Sequence, residues 1–248
     1  MRLTWLGHAT VVLDLDGVRL LTDPLLRATA GPLRRRGPAP TPDQVADVDA
    51  ILISHLHHDH ADLASLRRLG REVPLLVPPG SRGFFARHGF GDVIELAPGE
   101  SRDVGEVTVR ATEARHDGGK RRGAGEVEPV GFLVEGSRGV YFAGDTDLFD
   151  GMEDLSPGLD LALLPVWGWG PTLGAGHLDP EGAARAAAML SPRLAIPIHW
   201  GTLYPFGLAR LRPGRLRLPA QEFAARARDL APQVETRVLS PGESTSLA

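Results

Sequence analysis

The stretch Ile51-Leu52-Ile53-Ser54-His55-Leu56-His57-His58-Asp59-His60-Ala61-Asp62 decides how the chain is read. With the two residues before it, its first part forms DAILIS (49–54), a short apolar run that reads as a fully buried strand. Its second part places four of the chain's 9 histidines, and one aspartate, between positions 55 and 60. Solvated loop histidines do not call for that density. Side chains two apart in extended chain point the same way, so His55 and His57 project together and suit one ion. The chain must then curl toward a helix at ADLASLRRLG (61–70), which re-aims Asp59 and His60 toward a second ion beside the first. Imidazole and carboxylate donors without sulfur suit Zn²⁺, Mn²⁺ or Fe.

Outward from this loop, short strands dominate. RLTWL (2–6), TVVLDL (10–15) and VRLLT (18–22) read as strands, with Asp16-Gly17 as a hairpin turn. PLLVP (74–78), DVIEL (92–96), EVTVRAT (106–112), PVGFLVE (129–135), GVYFAG (139–144), LDLALLPV (159–166), LAIPIHW (194–200) and VETRVL (234–239) continue the theme. Helices are expected at 61–70, around Arg82–His88, at 179–190 with Asp179 as N-cap and Pro180 in the first turn, and at 219–231. Residues 27–43, rich in Arg, Gly and Pro, read as a long polar loop. No linker divides the chain, so residues 1–248 are expected to form one α/β domain in which two mixed sheets pack together with helices outside.

Composition narrows the function. A net charge of −4 is not the footprint of a general nucleic-acid binder, and no nucleic-acid partner is expected. The chain has no cysteine, which excludes disulfides, thiolate ligands and a cysteine nucleophile. The N-terminus lacks the apolar core of a signal peptide, and no stretch approaches the roughly 18 apolar residues of a membrane span. A soluble cytoplasmic protein without integral membrane association is the expectation.

Three more candidate ligands each fall just past a strand: His116 after VTVRATEAR, Asp145 in FAGDTD and His199 in PIHWGT. Ligands on several strand ends can converge at one edge of a sheet pair. At this point SHLHHDH resembles the HxHxDH motif of the metallo-β-lactamase superfamily. His116, Asp145 and His199 follow in the order of its later metal motifs. TWLGHAT, LLTDPLL, AGDTD, GHLDPEGA and PIHWGT look closest to the branch with ascorbate-6-phosphate lactonase-like proteins and N-acylphosphatidylethanolamine-hydrolysing phospholipase D. The resemblance implies a four-layer αββα sandwich and two metals. His55, His57 and His116 would hold the first; Asp59, His60 and His199 the second; Asp145 would bridge. His58 fills a variable position of the motif. Members that hydrolyse antibiotics commonly use a cysteine ligand, so that activity is not expected here.

Other positions carry two readings each. Asp23 in LLTDPLL either orients a metal-bound histidine by accepting its outer N–H or is a turn aspartate before Pro24. His8 in WLGHAT sits near the site by the resemblance, or satisfies a turn. His177 ends a Gly-rich loop whose Trp167 and Trp169 are expected to shape a substrate pocket; the resemblance places His177 beside the metals, as donor to a substrate's developing charge, while the plain reading is a polar residue before a helix cap. Lys120-Arg121-Arg122 is either a solvated run or a contact for an anionic substrate. The expected function is hydrolysis by a water activated between two metals, with Asp59 or Asp145 orienting it and His177 stabilising charge. The expected substrate is a small anionic molecule, a phosphodiester or phosphorylated compound. A lactone or carboxylic-ester hydrolase is the alternative enzyme, and a non-catalytic metal-binding protein the alternative of another class.

Overall fold

A computed structural model describes the chain except for residues 32, 120–123, 125, 156, 168–174, 207–215 and 248. Two seven-stranded mixed sheets form its centre. In the first, β1 (Arg2–Gly7), β2 (Thr10–Leu15) and β3 (Val18–Thr22) run antiparallel, and β6 (Ala50–Leu52), β7 (Leu75–Val77) and β8 (Val93–Glu95) continue in parallel. In the second, β9 (Ser101–Val104), β10 (Val107–Glu113), β11 (Val130–Glu135) and β12 (Gly139–Phe142) are antiparallel, and β13 (Leu161–Pro165), β14 (Leu194–Ile198) and β16 (Glu235–Thr236) are parallel. The C-terminal β17 (Ser244–Ser246) returns to the first sheet beside β1.

The side-chain period of two sorts each strand of the first sheet between two cores. Leu3, Trp5, Val11, Leu13, Ala50 and Leu52 join the cluster that includes Val109, Phe132, Val134 and Phe142 of the second sheet. Leu6, Val12, Leu21, Ile51 and Ile53 face Leu66 of α1 (Leu63–Leu69) and Phe84 and Phe85 of α2 (Arg82–Arg87). This explains why DAILIS lacks any polar alternation: β6 is covered on both faces. Outside the second sheet, α3 (Pro180–Leu190) buries Ala183, Ala184, Ala186 and Ala187, and packs against α4 (Leu218–Leu230) with its buried Phe223. The layers are therefore helix, sheet, sheet, helix: the αββα sandwich.

Three expectations change. Residues 27–43 are not a structureless loop: β4 (Thr29–Ala30) and β5 (Leu33–Arg35) form a hairpin, and β15 (Leu203–Pro205) adds a third strand. The alternation of Leu33 inward with Arg34 outward was too short to register as a strand. The strand expected at 234–239 pairs only over Glu235–Thr236. The third change is β9 and β17, which escaped the sequence reading because they are polar edge strands with largely exposed side chains.

Candidate metal centre

The candidate residues leave the carboxyl ends of strands at one edge of the sandwich. β3 leads to Asp23, β6 to His55–His60, β10 to His116, β12 to Asp145 and β14 to His199, while β1 ends one residue before His8. Close approach is built in at Gly144, whose φ is +62° and whose added Cβ would lie 2.6 Å from the Ser54 Cβ. Only glycine lets the end of β12 reach the histidine loop there.

His55 and His57 do meet. β6 stops at Leu52, and residues 58–60 form a turn. His55 approaches with Nε2 and His57 with Nδ1, 2.8 Å apart, and His116 Nε2 is 3.1 Å from the same His57 nitrogen. Beside them His60 Nε2 lies 3.2 Å from His199 Nε2. Asp145 spans this second group, with Oδ2 3.4 Å from His60 Nε2 and Oδ1 3.2 Å from His199 Nε2. Its carboxylate also gathers with His116 and His177, so it touches both groups. Asp59 Oδ2 is 3.9 Å from His60 Nε2 and 3.0 Å from His8 Nε2.

The outer ring nitrogens fix which atoms face inward. Ser54 Oγ donates to Asp23 Oδ2 at 2.6 Å, so it must accept from His55 Nδ1–H at 2.9 Å. His60 Nδ1–H donates to Asp23 Oδ2 at 2.7 Å, His116 Nδ1–H to the Gly176 carbonyl at 2.8 Å, and His199 Nδ1–H to the Trp167 carbonyl. A carbonyl or carboxylate can only accept, so in the neutral imidazole each inward Nε2 carries a lone pair. Asp145 Oδ1 is buried and, among the described residues, lacks a hydrogen-bond partner. Inward lone pairs around an unsatisfied carboxylate oxygen are a donor set that fits divalent cations, with the outer nitrogens held as metal-bound imidazoles require.

Electrostatics agree with this. Burial alone would raise the Asp59 and Asp145 carboxyls. The imidazoles around them, His60 for Asp59 and His199 with His60 for Asp145, outweigh it and hold both well below the usual carboxylate range. Burial, reinforced by His199, pushes His8 down to about 3, and burial takes His116 to about 4. Burial also opposes charge on His60 and His199, but neighbouring carboxylates, Asp145 foremost, raise both. The sign for stability follows. His8 and His116 stay neutral in the fold below 6.5, where unfolded histidines take protons, so the unfolded state binds more protons between about pH 6.5 and 4. His60 and His199, raised, add no slope in that window, and the depressed carboxylates act in the same direction as His8 and His116 at its lower end. Metal-free protein is therefore expected to unfold at lower urea at pH 4.5 than at pH 6.5. Equal midpoints at the two pH values would contradict this assignment.

Asp23 is fully buried, and also accepts from the Ser54 backbone N–H at 2.8 Å. His8 pairs with Asp59 through its ring, while its carbonyl accepts from His199 N at 2.9 Å and its N–H donates to Thr202 Oγ1 at 2.7 Å. His8, Asp23 and His199 all have positive φ (55°, 34° and 65°), a cost that non-glycine residues bear most often at functional sites. His177 places Nε2 3.8 Å from Asp145 Oδ2 and its ring centroid 4.5 Å from that of His116. Trp167 is buried with its ring stacked on Tyr204, so it reaches the centre through its carbonyl. Trp169, Lys120, Arg121 and Arg122 lie outside the described residues.

A cavity of about 470 Å³ opens over the centre, lined there by His57, His58, Asp59, Asp145, His177 and His199. Arg27, Ala30, Gly31 and Leu33 line the same cavity. Sequence reasoning missed these four because their hairpin was not read, and it missed Ser54, whose only signal was its place between a buried strand and His55.

The family model described as a beta-lactamase superfamily domain matches residues 18–200. The chain belongs to this superfamily. A metal-dependent hydrolase of Methanopyrus kandleri is 33% identical over 98% of this chain and 99% of its own. N-acyl-phosphatidylethanolamine-hydrolyzing phospholipase D 1 of Caenorhabditis elegans is 34% identical over 82% of this chain, which spans 64% of that protein's length. Among solved structures, Igni18, a metallo hydrolase from Ignicoccus hospitalis, aligns with a TM-score of 0.73 and 25% identity, covering 98% of this chain and 97% of that one. Among the described residues, no helix is long and apolar enough to cross a membrane.

Proposed function

We propose that the chain is a two-metal hydrolase acting on a phosphodiester or a phosphorylated small molecule. The observation that carries this is the pair of ligand groups sharing Asp145, with every inward Nε2 fixed by an outer acceptor. His55, His57 and His116 would hold one ion, Asp59, His60 and His199 the other, and Asp145 would bridge them. Zn²⁺ is the first choice for this donor set, with Mn²⁺ or Fe as alternatives. Bound ions would supply hydroxide near neutral pH and Lewis acidity toward the attacked group. Asp59 or Asp145, held ionised, orients the attacking water and takes up its proton. His177, on the cavity wall beside Asp145, donates a hydrogen bond to the charge that develops on the attacked group.

The phosphoryl reading draws on the name of the C. elegans relative, which describes hydrolysis of a phospholipid by a phospholipase D. The second reading, a lactone or carboxylic ester, uses the same centre and becomes preferred if phosphodiesters are inert. The deciding experiment is hydrolysis of bis(p-nitrophenyl) phosphate by protein reconstituted with Zn²⁺ or Mn²⁺, beside His57→Ala. Turnover that falls by about a hundredfold or more in the variant supports the reading. No turnover with metals demonstrably bound moves the assignment to esters and lactones.

A further inference from the structure

One wall of the cavity has chemistry that the centre itself does not use. Arg27, Ala30, Gly31 and Leu33 lie on the β4–β5 hairpin and its approach. This hairpin is held firmly. Leu25, Ala30, Leu33 and Leu203 form their own small core, and β15 pairs with β5. The buried Arg35 guanidinium donates to the carbonyls of Leu6 at 3.0 Å, Arg27 at 3.2 Å and Leu25. No carboxylate is needed to hold Arg35; three carbonyls tie the hairpin to the end of β1 and to the backbone of Arg27 itself.

The Arg27 side chain is equally constrained. Nε and Nη2 donate to the two oxygens of Asp62, at 2.9 and 2.6 Å. Asp62 is buried and also caps α1, accepting from Ser65 N at 2.9 Å and Ser65 Oγ at 2.6 Å. Four donors converge on that carboxylate, three of them on Oδ2, so Arg27 is fixed along one edge while nearly half of its side chain stays exposed. Among the described residues its Nη1 makes no hydrogen bond. A guanidinium held on one edge keeps planar donors on the other, a geometry that matches carboxylate or phosphate. Pre-orientation reduces the side-chain entropy lost on binding. The surface beside it is small and apolar, and a Cβ added at Gly31 would meet open space.

We propose that Arg27 selects substrates bearing a second anionic group, a carboxylate or phosphate, joined to the scissile group by a short apolar arm. The inference rests on the phosphoryl reading of the centre and adds to it the far end of the substrate.

The test is calorimetric binding to Zn²⁺-reconstituted protein. The probes are n-alkylphosphonates and ω-carboxyalkylphosphonates of matched length, over a range of arm lengths. At the best length the carboxylate-bearing probe should bind about tenfold or more tightly than its partner, the value of a charge-assisted contact. In Arg27→Gln that ratio should collapse to about one, and Arg27→Lys, which keeps charge without the fork, should fall between. Alkylphosphonate binding by the same variants reports an intact cavity. A ratio near one at every length in the wild type, or an undiminished ratio in Arg27→Gln, overturns the proposal and leaves the phosphoryl reading standing. If neither series binds, the phosphoryl reading falls and this inference falls with it.

Discussion

Asp145→Ala is expected to lower turnover by at least about a thousandfold, equivalent to about 4 kcal/mol in the barrier, while leaving the sandwich folded. Asp145 follows β12 rather than packing within it, and the apolar strands beneath do not depend on its carboxylate. Its loss acts on both ligand groups at once. His60 and His199 lose the carboxylate that raises them most. The two groups lose a carboxylate that reaches both. Metal content should fall below two ions per chain even after dialysis against excess Zn²⁺, with far-ultraviolet circular dichroism unchanged. Wild-type turnover in the re-metallated variant would remove Asp145 from the mechanism.

Asp23→Asn is expected to do nearly as much damage without touching a proposed ligand atom. Asp23 Oδ1 accepts from the Ser54 backbone, and Oδ2 from Ser54 Oγ and His60 Nδ1. An asparagine that keeps its oxygen toward Ser54 N presents N–H groups where two donors already point. To relieve the clash, His60 must move its proton to Nε2, which blocks the inward lone pair. Metal affinity should drop by about 10–100-fold, as when other outer partners of ligating histidines are removed. Stability should fall by about 1.5–3 kcal/mol, the usual value of a hydrogen bond to a charged group in a buried site. Asparagine tolerates the positive φ at this position, so the backbone cost is small. Metal titration with a competing chelator and urea unfolding would check the two parts separately; an unchanged metal affinity would show that Asp23 is only a turn residue.

The loop 55–60 was legible because its ligands are local: a buried strand delivers four histidines and an aspartate before the chain can turn away. His116, Asp145 and His199 were legible as residues that follow apolar strands. Asp23 kept two readings because a turn aspartate and an imidazole acceptor look alike until the fold brings His60 beside it. Ser54 and Arg27 carried no local signature of their present partners. Asp62 lies 35 residues from Arg27, and the hairpin that carries Ala30 and Leu33 is completed by β15, far along the chain.

By itself the sequence determined the strand-rich α/β class, the candidate metal-binding loop and the absence of thiolate chemistry, because period-two burial, ligand spacing and composition are properties of short segments. Only the tertiary structure decided which nitrogen of each imidazole faces inward, that Asp145 stands between two groups, and that Arg27, Ala30, Gly31 and Leu33 wall the cavity. Those depend on acceptors and pairing strands distant in sequence, which hydrophobic collapse of the two sheets brings within hydrogen-bonding reach.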